Sequence, residues 1–296
     1  MRRRAPPAAS HRNTDLSESA GLSVVVLTLN EELNLPDCLR SLQGLDCEIF
    51  LVDSGSTDST VAMAHAAGAS VFAHPFETYG KQRNWALENL PFRGEWVLNL
   101  DADERLTPEL AKEIAALMRA AVADINGYML RRRTVFRGRW IRHGGHYPNY
   151  QMRLFRRGRG VCEDRLYDQH FVVEGRVESV RYDYIDLAAG DLSTWSQRHF
   201  RWAAAEAAEQ TRSKDRDGDQ IRASLFQGPI ARRRWLREKL YGPVPLFIRP
   251  AAYFFYRYFL RLGFLDGEQG FVFHCLQGFW YRFIVDAMLW EMRIRR

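Results

Sequence analysis

The sequence has 296 residues, 46% hydrophobic and 13% aromatic, enough for one large domain or for a catalytic domain with an added helical region. Its 42 Lys and Arg against 36 Asp and Glu give a formal net charge of +6, which favours anionic partners such as phosphates, acidic lipid headgroups or nucleic acid. Four cysteines, Cys38, Cys47, Cys162 and Cys275, lack any CxxC pair or a nearby histidine in ligand spacing, so they suggest neither a zinc site nor a disulfide framework and fit a reducing, cytoplasmic setting.

In chain order, residues 1–21 start Met1-Arg2-Arg3-Arg4 and continue without an apolar run, so they read as a disordered basic tail rather than a secretory signal. Ser23 to Leu29 is β-branched and nearly continuous, the pattern of a strand covered on both faces. Leu35, Leu39 and Leu42 then share a helical face, and Glu48 to Val52 forms a second strand. The turn-rich stretch Asp53-Ser54-Gly55-Ser56-Thr57-Asp58 leads into an alanine-rich helix ended by Gly68. Val71 and Phe72 mark a third strand, Gln82 to Leu90 a helix, Glu95 to Leu100 a fourth strand, and Thr107-Pro108 the start of another helix. This alternation predicts an α/β domain of parallel strands joined by crossover helices.

In such sheets ligands bind beyond the carboxyl ends of the strands. Three polar groups fall there: Thr28 with Asn30 and Glu31, Asp53 with Ser54, and Asp101-Ala102-Asp103-Glu104. In an extended segment Asp101 and Asp103 would share one side, and so short an acidic cluster suits a hard cation such as Mg²⁺ or Mn²⁺, which completes its coordination with water and phosphate.

Taken together, Val24 to Asn30, Val52 to Asp58, Gln82-Arg83-Asn84-Trp85-Ala86-Leu87 and Trp96 to Glu104 resemble the family 2 glycosyltransferases in order and spacing over residues 22 to 110. The branch most resembled acts on bacterial lipopolysaccharide core and other surface polysaccharides, with similarity continuing through Arg139-Trp140-Ile141-Arg142-His143-Gly144-Gly145, Arg153 to Arg157 and Leu262 to Gly267. The resemblance implies a GT-A-like nucleotide-diphospho-sugar-binding fold, with a mostly parallel sheet flanked by helices. It also implies inverting transfer from a nucleotide sugar, UDP by family frequency, with a divalent cation. Carried onto this sequence, Asp53 would lie against the base, Asn30 and Glu31 near ribose or base, Lys81 and Arg83 near the diphosphate, Asp101 at the ribose or sugar, and Asp103 on the metal. Thr28 joins them in the donor site by its place at the first strand's end.

The acceptor hydroxyl needs a base, and carboxylates return in Cys162-Glu163-Asp164-Arg165-Leu166-Tyr167-Asp168-Gln169-His170. Many family members carry a Glu-Asp pair here, which favours Asp164. Asp168 stays open as the alternative, because this chain has Tyr167-Asp168-Gln169 where relatives in the branch often have Val-His-Glu. Glu163 is a third choice, and His170 could complete the metal's coordination. His143 and His146 flank Gly144-Gly145 in a loop expected to approach the donor sugar.

Ten arginines and no carboxylate lie between 131 and 160, which suits a diphosphate and an anionic acceptor better than nucleic acid, for which no motif accompanies them. The region from 191 to 296 reads as helical and aromatic, following a catalytic domain at 22–190. Within it Arg249, Arg257 and Arg261 would form a basic stripe beside an aromatic face, the pattern of a helix lying on a membrane. No uncharged run reaches the length of a spanning helix, so peripheral attachment to the inner face of the cytoplasmic membrane and a saccharide or lipid-linked acceptor are expected. The competing classes are a sugar nucleotidyltransferase, disfavoured by Asn30-Glu31-Glu32 in place of a glycine- and arginine-rich loop, and a non-catalytic membrane or nucleic-acid binding protein.

Overall fold

The computed structural model describes residues 21–120, 123–188, 190–212 and 220–295, so residues 1–20, which hold nearly all of the expected basic tail, lie outside the described residues. Its first part follows the expected alternation. β1 (Leu22–Thr28), α1 (Leu35–Ser41), β2 (Cys47–Asp53), α2 (Thr60–Ala66), β3 (Ser70–Ala73), α3 (Tyr79–Asn89) and β4 (Trp96–Asp101) succeed one another, with β2 and β4 flanking β1 in parallel and β3 parallel to β2. Because strand side chains alternate, β1 feeds two cores. Val24 and Val26 pack with Leu35 and Leu39 on one face, while Val25 packs with Phe50, Ala86 and Val97 on the other. Each such side chain taken fully from water stabilises the fold by about 1.5–3 kcal/mol. Gly68 closes α2 in the left-handed conformation, its φ of +80° open to glycine at no steric cost. The register sets Thr28 opposite Asp53 and Leu27 opposite Asp101, so the three polar strand ends stand level at one edge.

Beyond β4 the sheet is mixed rather than mostly parallel. β5 (Glu104–Leu106) and α4 (Pro108–Ala120) lead to β6 (Ile125–Phe136), the short β7 (Arg139–Trp140), β8 (Asn149–Arg156), β9 (Gly160–Cys162), β10 (Phe171–Val173) and β11 (Arg176–Leu187). The strand order is β3-β2-β1-β4-β8-β6-β11-β5, with β7 on β6 and β9 and β10 pairing separately. β6 returns directly as β8, which slots antiparallel between β4 and β6 and reverses the sheet's direction there. Arginines mask β6 in the sequence. Arg131 and Arg133 pair with Asp183 of β11 at 3.0 and 2.8 Å, and Arg132 with Asp186 at 3.4 Å, so part of the basic stretch is neutralised inside the sheet.

The chain then turns helical with α5 (Leu192–Thr211), α6 (Pro229–Leu236), α7 (Ile248–Phe255), α8 (Gly267–Phe273) and α9 (Tyr281–Ile294). Ala203 and Ala207 let α5 lie against Tyr281, Val285 and Leu289 of α9, and Trp195 and Phe273 join Phe136 and Ile141 from the sheet side. Single π-helical turns interrupt this region at Arg237–Tyr241, Tyr256–Leu260 and His274–Trp280. Two of the three arginines of the expected basic stripe are not at the surface, and only Arg261 is exposed. Arg249 and Arg257 are each only 5% exposed, because Arg249 pairs with Asp286 inside the helical layer and Arg257 Nε donates to the Gly144 carbonyl at 2.9 Å. The outward face of the same segment is apolar instead, with Ile248, Phe255, Phe259 and Leu260 all exposed. Among the described residues no helix is long and apolar enough to cross a membrane.

Candidate active site

A cleft of about 1920 Å³ opens along the carboxyl edge of β1, β2 and β4 and is closed on its other side by the C-terminal helices. Thr28, Asn30, Glu31, Arg83, Asp101, Asp103 and Asp168 line it together. Asp53, Lys81 and Asp164 do not.

Asp53 explains its own absence. Its carboxylate accepts from the Thr28 hydroxyl at 3.1 Å and from the Gly55 and Ser56 amides at 3.0 and 2.8 Å, as well as from the Ser56 hydroxyl. These bonds hold the turn after β2 and leave the side chain 5% exposed. The neighbouring loop is latched to the same turn: Asn30 Oδ1 accepts from the Thr57 amide at 2.8 Å, and the Glu31 amide donates to Thr60 Oγ1 at 2.8 Å. Asn30 adopts φ 55°, which asparagine tolerates better than most residues. Lys81 is exposed on α3 and pairs with Glu77 one turn earlier, away from the expected diphosphate site.

At the end of β4 the acidic triplet is a turn, not an extended segment, and its two aspartates have different surroundings. Asp101 accepts from Arg83 Nη2 at 3.0 and 3.1 Å and from Arg153 Nη2 at 3.0 Å. Burial alone would raise this carboxyl, but the two guanidinium groups hold it well below the usual carboxylate range. Its oxygens are thus committed to arginines, so the expected share in metal binding does not fit Asp101 here. Glu104, buried behind it, accepts from the Asp101 amide at 2.9 Å and pairs with Arg153; burial, opposed by Arg153 and helped by Asp101, pushes it up to about 7.

Asp103 is the opposite case. Burial first, then Asp186, Asp101, Glu31 and Glu104, push its carboxyl well above the usual range. The cation paired with it is Arg198 of α5 at 3.7 Å. A carboxylate crowded by four others is short of positive charge, which a divalent cation supplies. Among the described residues no three His, Cys, Asp or Glu side chains converge as a metal cluster. Mg²⁺ or Mn²⁺ does not require one, since one or two carboxylates plus substrate phosphates suffice. The residues present therefore fit such a cation through Asp103, with Asp186 beside it.

The three candidate bases separate cleanly. Glu163 is 1% exposed and held by Arg234 through two bonds of 2.6 Å, while also accepting from the His170 amide at 2.9 Å and the Ile221 amide at 2.8 Å. It is a buried clamp. Asp164 is exposed, outside the cleft, and the backbone of its neighbour Glu163 presses on α3, where a Cβ on Gly80 would come within 2.5 Å of the Glu163 carbonyl. Asp168 faces the cleft, at 3.0 Å from Arg237 Nη2 and 3.1 Å from His170 Nε2. Burial would raise it, but His170, Arg237 and Arg234 keep it well below the carboxylate range. His170 has its other ring nitrogen on Gln151 at 3.1 Å, so both nitrogens face side chains and it does not join Asp103 as a metal ligand.

The Gly144-Gly145 loop lines the cleft, as a loop near the sugar would, and is docked there on the helices. His143 Nδ1 lies 2.6 Å from Asp266, and a Cβ on Gly144 would run into the His274 ring. Leu262 to Gly267 and Arg139 to Gly145 are thus two halves of one contact. His146 does line the cleft, its Nε2 3.0 Å from Thr134 Oγ1. Sequence reasoning missed Asp186, Arg198 and Arg234, whose partners lie far along the chain.

A family model for glycosyl transferase family 2 matches residues 23–172. The chain is 29% identical over 276 residues to a lipopolysaccharide core biosynthesis glycosyltransferase of Rhizobium meliloti, covering 91% of this chain and 92% of that one. It is 40% identical over 102 residues to a glycosyltransferase of Rickettsia conorii, covering 34% and 35% of the two chains. S. aureus TarS in complex with UDP-GlcNAc aligns at a TM-score of 0.48 and 17% identity, over 93% of this chain and 92% of that one. With the matched segment running from β1 through the clamp at Glu163 to Val172 in β10, the chain belongs to glycosyl transferase family 2.

Proposed function

We propose that this glycosyltransferase moves a sugar, with inversion, from a nucleotide-diphospho-sugar to a saccharide or lipid-linked acceptor in lipopolysaccharide or other surface polysaccharide assembly. The observation that carries the reading is the contrast at the end of β4, where Asp101 is neutralised by two arginines and Asp103 is left with excess negative charge. The near full-length likeness to the Rhizobium meliloti enzyme supports the class of acceptor. The catalytic domain would span 22–190 and the helical region 191–296.

In this reading Thr28, Asn30 and Glu31 border the nucleoside, with UDP favoured, and Arg83 is positioned by Asp101 toward the diphosphate. Asp103 would hold Mg²⁺ or Mn²⁺, whose Lewis acidity would stabilise the leaving diphosphate. Asp168 takes the proton of the acceptor hydroxyl; its arginine and histidine neighbours keep it ionised and fixed at the cleft wall. Direct displacement by that hydroxyl inverts the anomeric carbon. A screen of UDP-, GDP- and dTDP-sugars with and without Mn²⁺, read as nucleoside diphosphate release, tests this; no donor consumed with any metal would sink it.

We also propose that the exposed apolar face of α7 to α9 docks the enzyme on the inner face of the cytoplasmic membrane. Ile248, Phe255, Phe259, Leu260, Phe264 and Phe271 are all exposed, and Arg261, Arg293 and Arg295 add positive charge for anionic headgroups. Co-sedimentation with liposomes containing anionic lipid is expected at low salt and should fall when Phe255 and Phe259 become Ser. Equal recovery of wild type in the supernatant with and without liposomes would contradict it.

A further inference from the structure

The helical wall of the cleft holds arginines with no carboxylate partner and a buried hydroxyl with no partner at all. Arg257 is 5% exposed and bonds only uncharged groups, the Gly144 carbonyl through its Nε and the Tyr253 phenol. The Tyr241 hydroxyl is buried without a hydrogen-bond partner among the described residues, and both residues line the cleft. Buried polar atoms are nearly always paired, so a bare hydroxyl beside unneutralised guanidinium groups calls for an explanation. Arg233, also on this wall, bonds Asn149, and no described carboxylate lies within ion-pair reach of Arg233 or Arg257.

These groups form one cluster around Tyr253. The Tyr241 ring centre is 5.7 Å from that of Tyr253, and the Arg257 and Arg282 guanidinium carbons lie 5.5 and 5.8 Å from the Tyr253 ring centre. Burial would raise the Tyr253 phenol, but Arg257, Arg282 and Arg233 outweigh it and draw it below its ordinary value, which reports the positive potential there. Tyr241, Arg257 and Gln277 each sit in one of the three π-helical turns, a local widening of the helix that recurs at functional sites. Asp168 is the opposite charge that acts most strongly on Arg233, so the cluster adjoins the proposed base and stands across the cleft from the strand ends.

We propose that this wall is the acceptor subsite and that it seats an oxyanion, a phosphate or a carboxylate, carried by the acceptor saccharide. Arg257 and Arg233 would take the anion, with the Tyr241 hydroxyl as a further donor, and so hold the neighbouring sugar hydroxyl against Asp168. The inference rests on the donor reading given above. The experiment uses the full chain saturated with whichever of UDP, GDP or dTDP it binds, with Mg²⁺, and titrates glucose 6-phosphate, glucuronic acid and glucose by calorimetry. At least one anionic sugar should bind tenfold or more tighter than glucose, the stronger arm telling a phosphorylated acceptor from an acidic one. Arg233→Gln should remove most of that margin, and Tyr241→Phe, which deletes only an oxygen that no protein group bonds, should weaken it about threefold or more. Nucleoside diphosphate affinity should stay unchanged in both. The proposal is overturned if the anionic sugars bind no tighter than glucose, if the margin survives in both variants, or if they displace the nucleoside diphosphate. Failure of every nucleoside diphosphate to bind would instead strike the donor reading.

Discussion

The two walls of the cleft are built in opposite ways. The strand-end wall is acidic and comes from two short stretches: Glu31 just after β1, and Asp101, Asp103 and Glu104 from the end of β4 to the start of β5. The helical wall is assembled over long distances and is basic, with Arg233, Arg237 and Arg257 brought in from elements more than 60 residues beyond Asp168. The difference teaches that what a carboxylate is paired with, more than its residue type, sets what it can do. Asp101 is as acidic in sequence as Asp103, yet its arginines make it a positioning residue.

The contrast breaks first at Asp168. With Asp168 as the proposed base, Asp168→Asn should lower kcat by about 10²–10⁴-fold while leaving donor affinity within twofold, because that role places it on the acceptor alone. A loss of donor affinity equal to the loss of rate would move Asp168 to the other wall. Next comes the clamp behind it: Arg234→Met leaves Glu163 buried without its cation and should destabilise the fold by about 3–5 kcal/mol, read as a shift in the urea midpoint. An unchanged midpoint would show that the helical wall is not anchored there.

A smaller effect comes from the histidines packed on the helical side. Burial lowers His199 and His274 to about 4 and also draws His146 well below its ordinary value, so these rings stay neutral in the fold while the unfolded chain takes up protons below about 6.5. Stability should therefore fall as the pH drops from about 6.5 toward 4, by about 2 kcal/mol at pH 5 for each of His199 and His274, and a flat urea midpoint from pH 7.5 to 5 would refute this. Least of all should change with Lys81→Ala, an exposed side chain that pairs with Glu77 and does not itself line the cleft; activity within twofold is expected, and a tenfold loss would return Lys81 to the diphosphate.

What could be read from the sequence follows the same division. Strands β1, β2 and β4 announce themselves by apolar runs, and their polar ends are fixed by connectivity, so Thr28, Asn30, Asp101 and Asp103 were found without any tertiary knowledge. β6 was hidden because Arg131, Arg132 and Arg133 interrupt its alternation, and only Asp183 and Asp186 on a later strand make those charges tolerable in a sheet. Arg249 and Arg257 read as a surface stripe because helical spacing gives a shared face but not what that face meets. The choice among Glu163, Asp164 and Asp168 turned on Arg234, 66 residues past Asp168, which no local pattern points to.

The most direct test of the account is a calorimetric titration of the preferred nucleotide sugar into wild type and Asp103→Asn, each with and without Mn²⁺. The account predicts binding that strengthens with metal in the wild type and loses that dependence in the variant. Equal, metal-independent affinity in both proteins would contradict it.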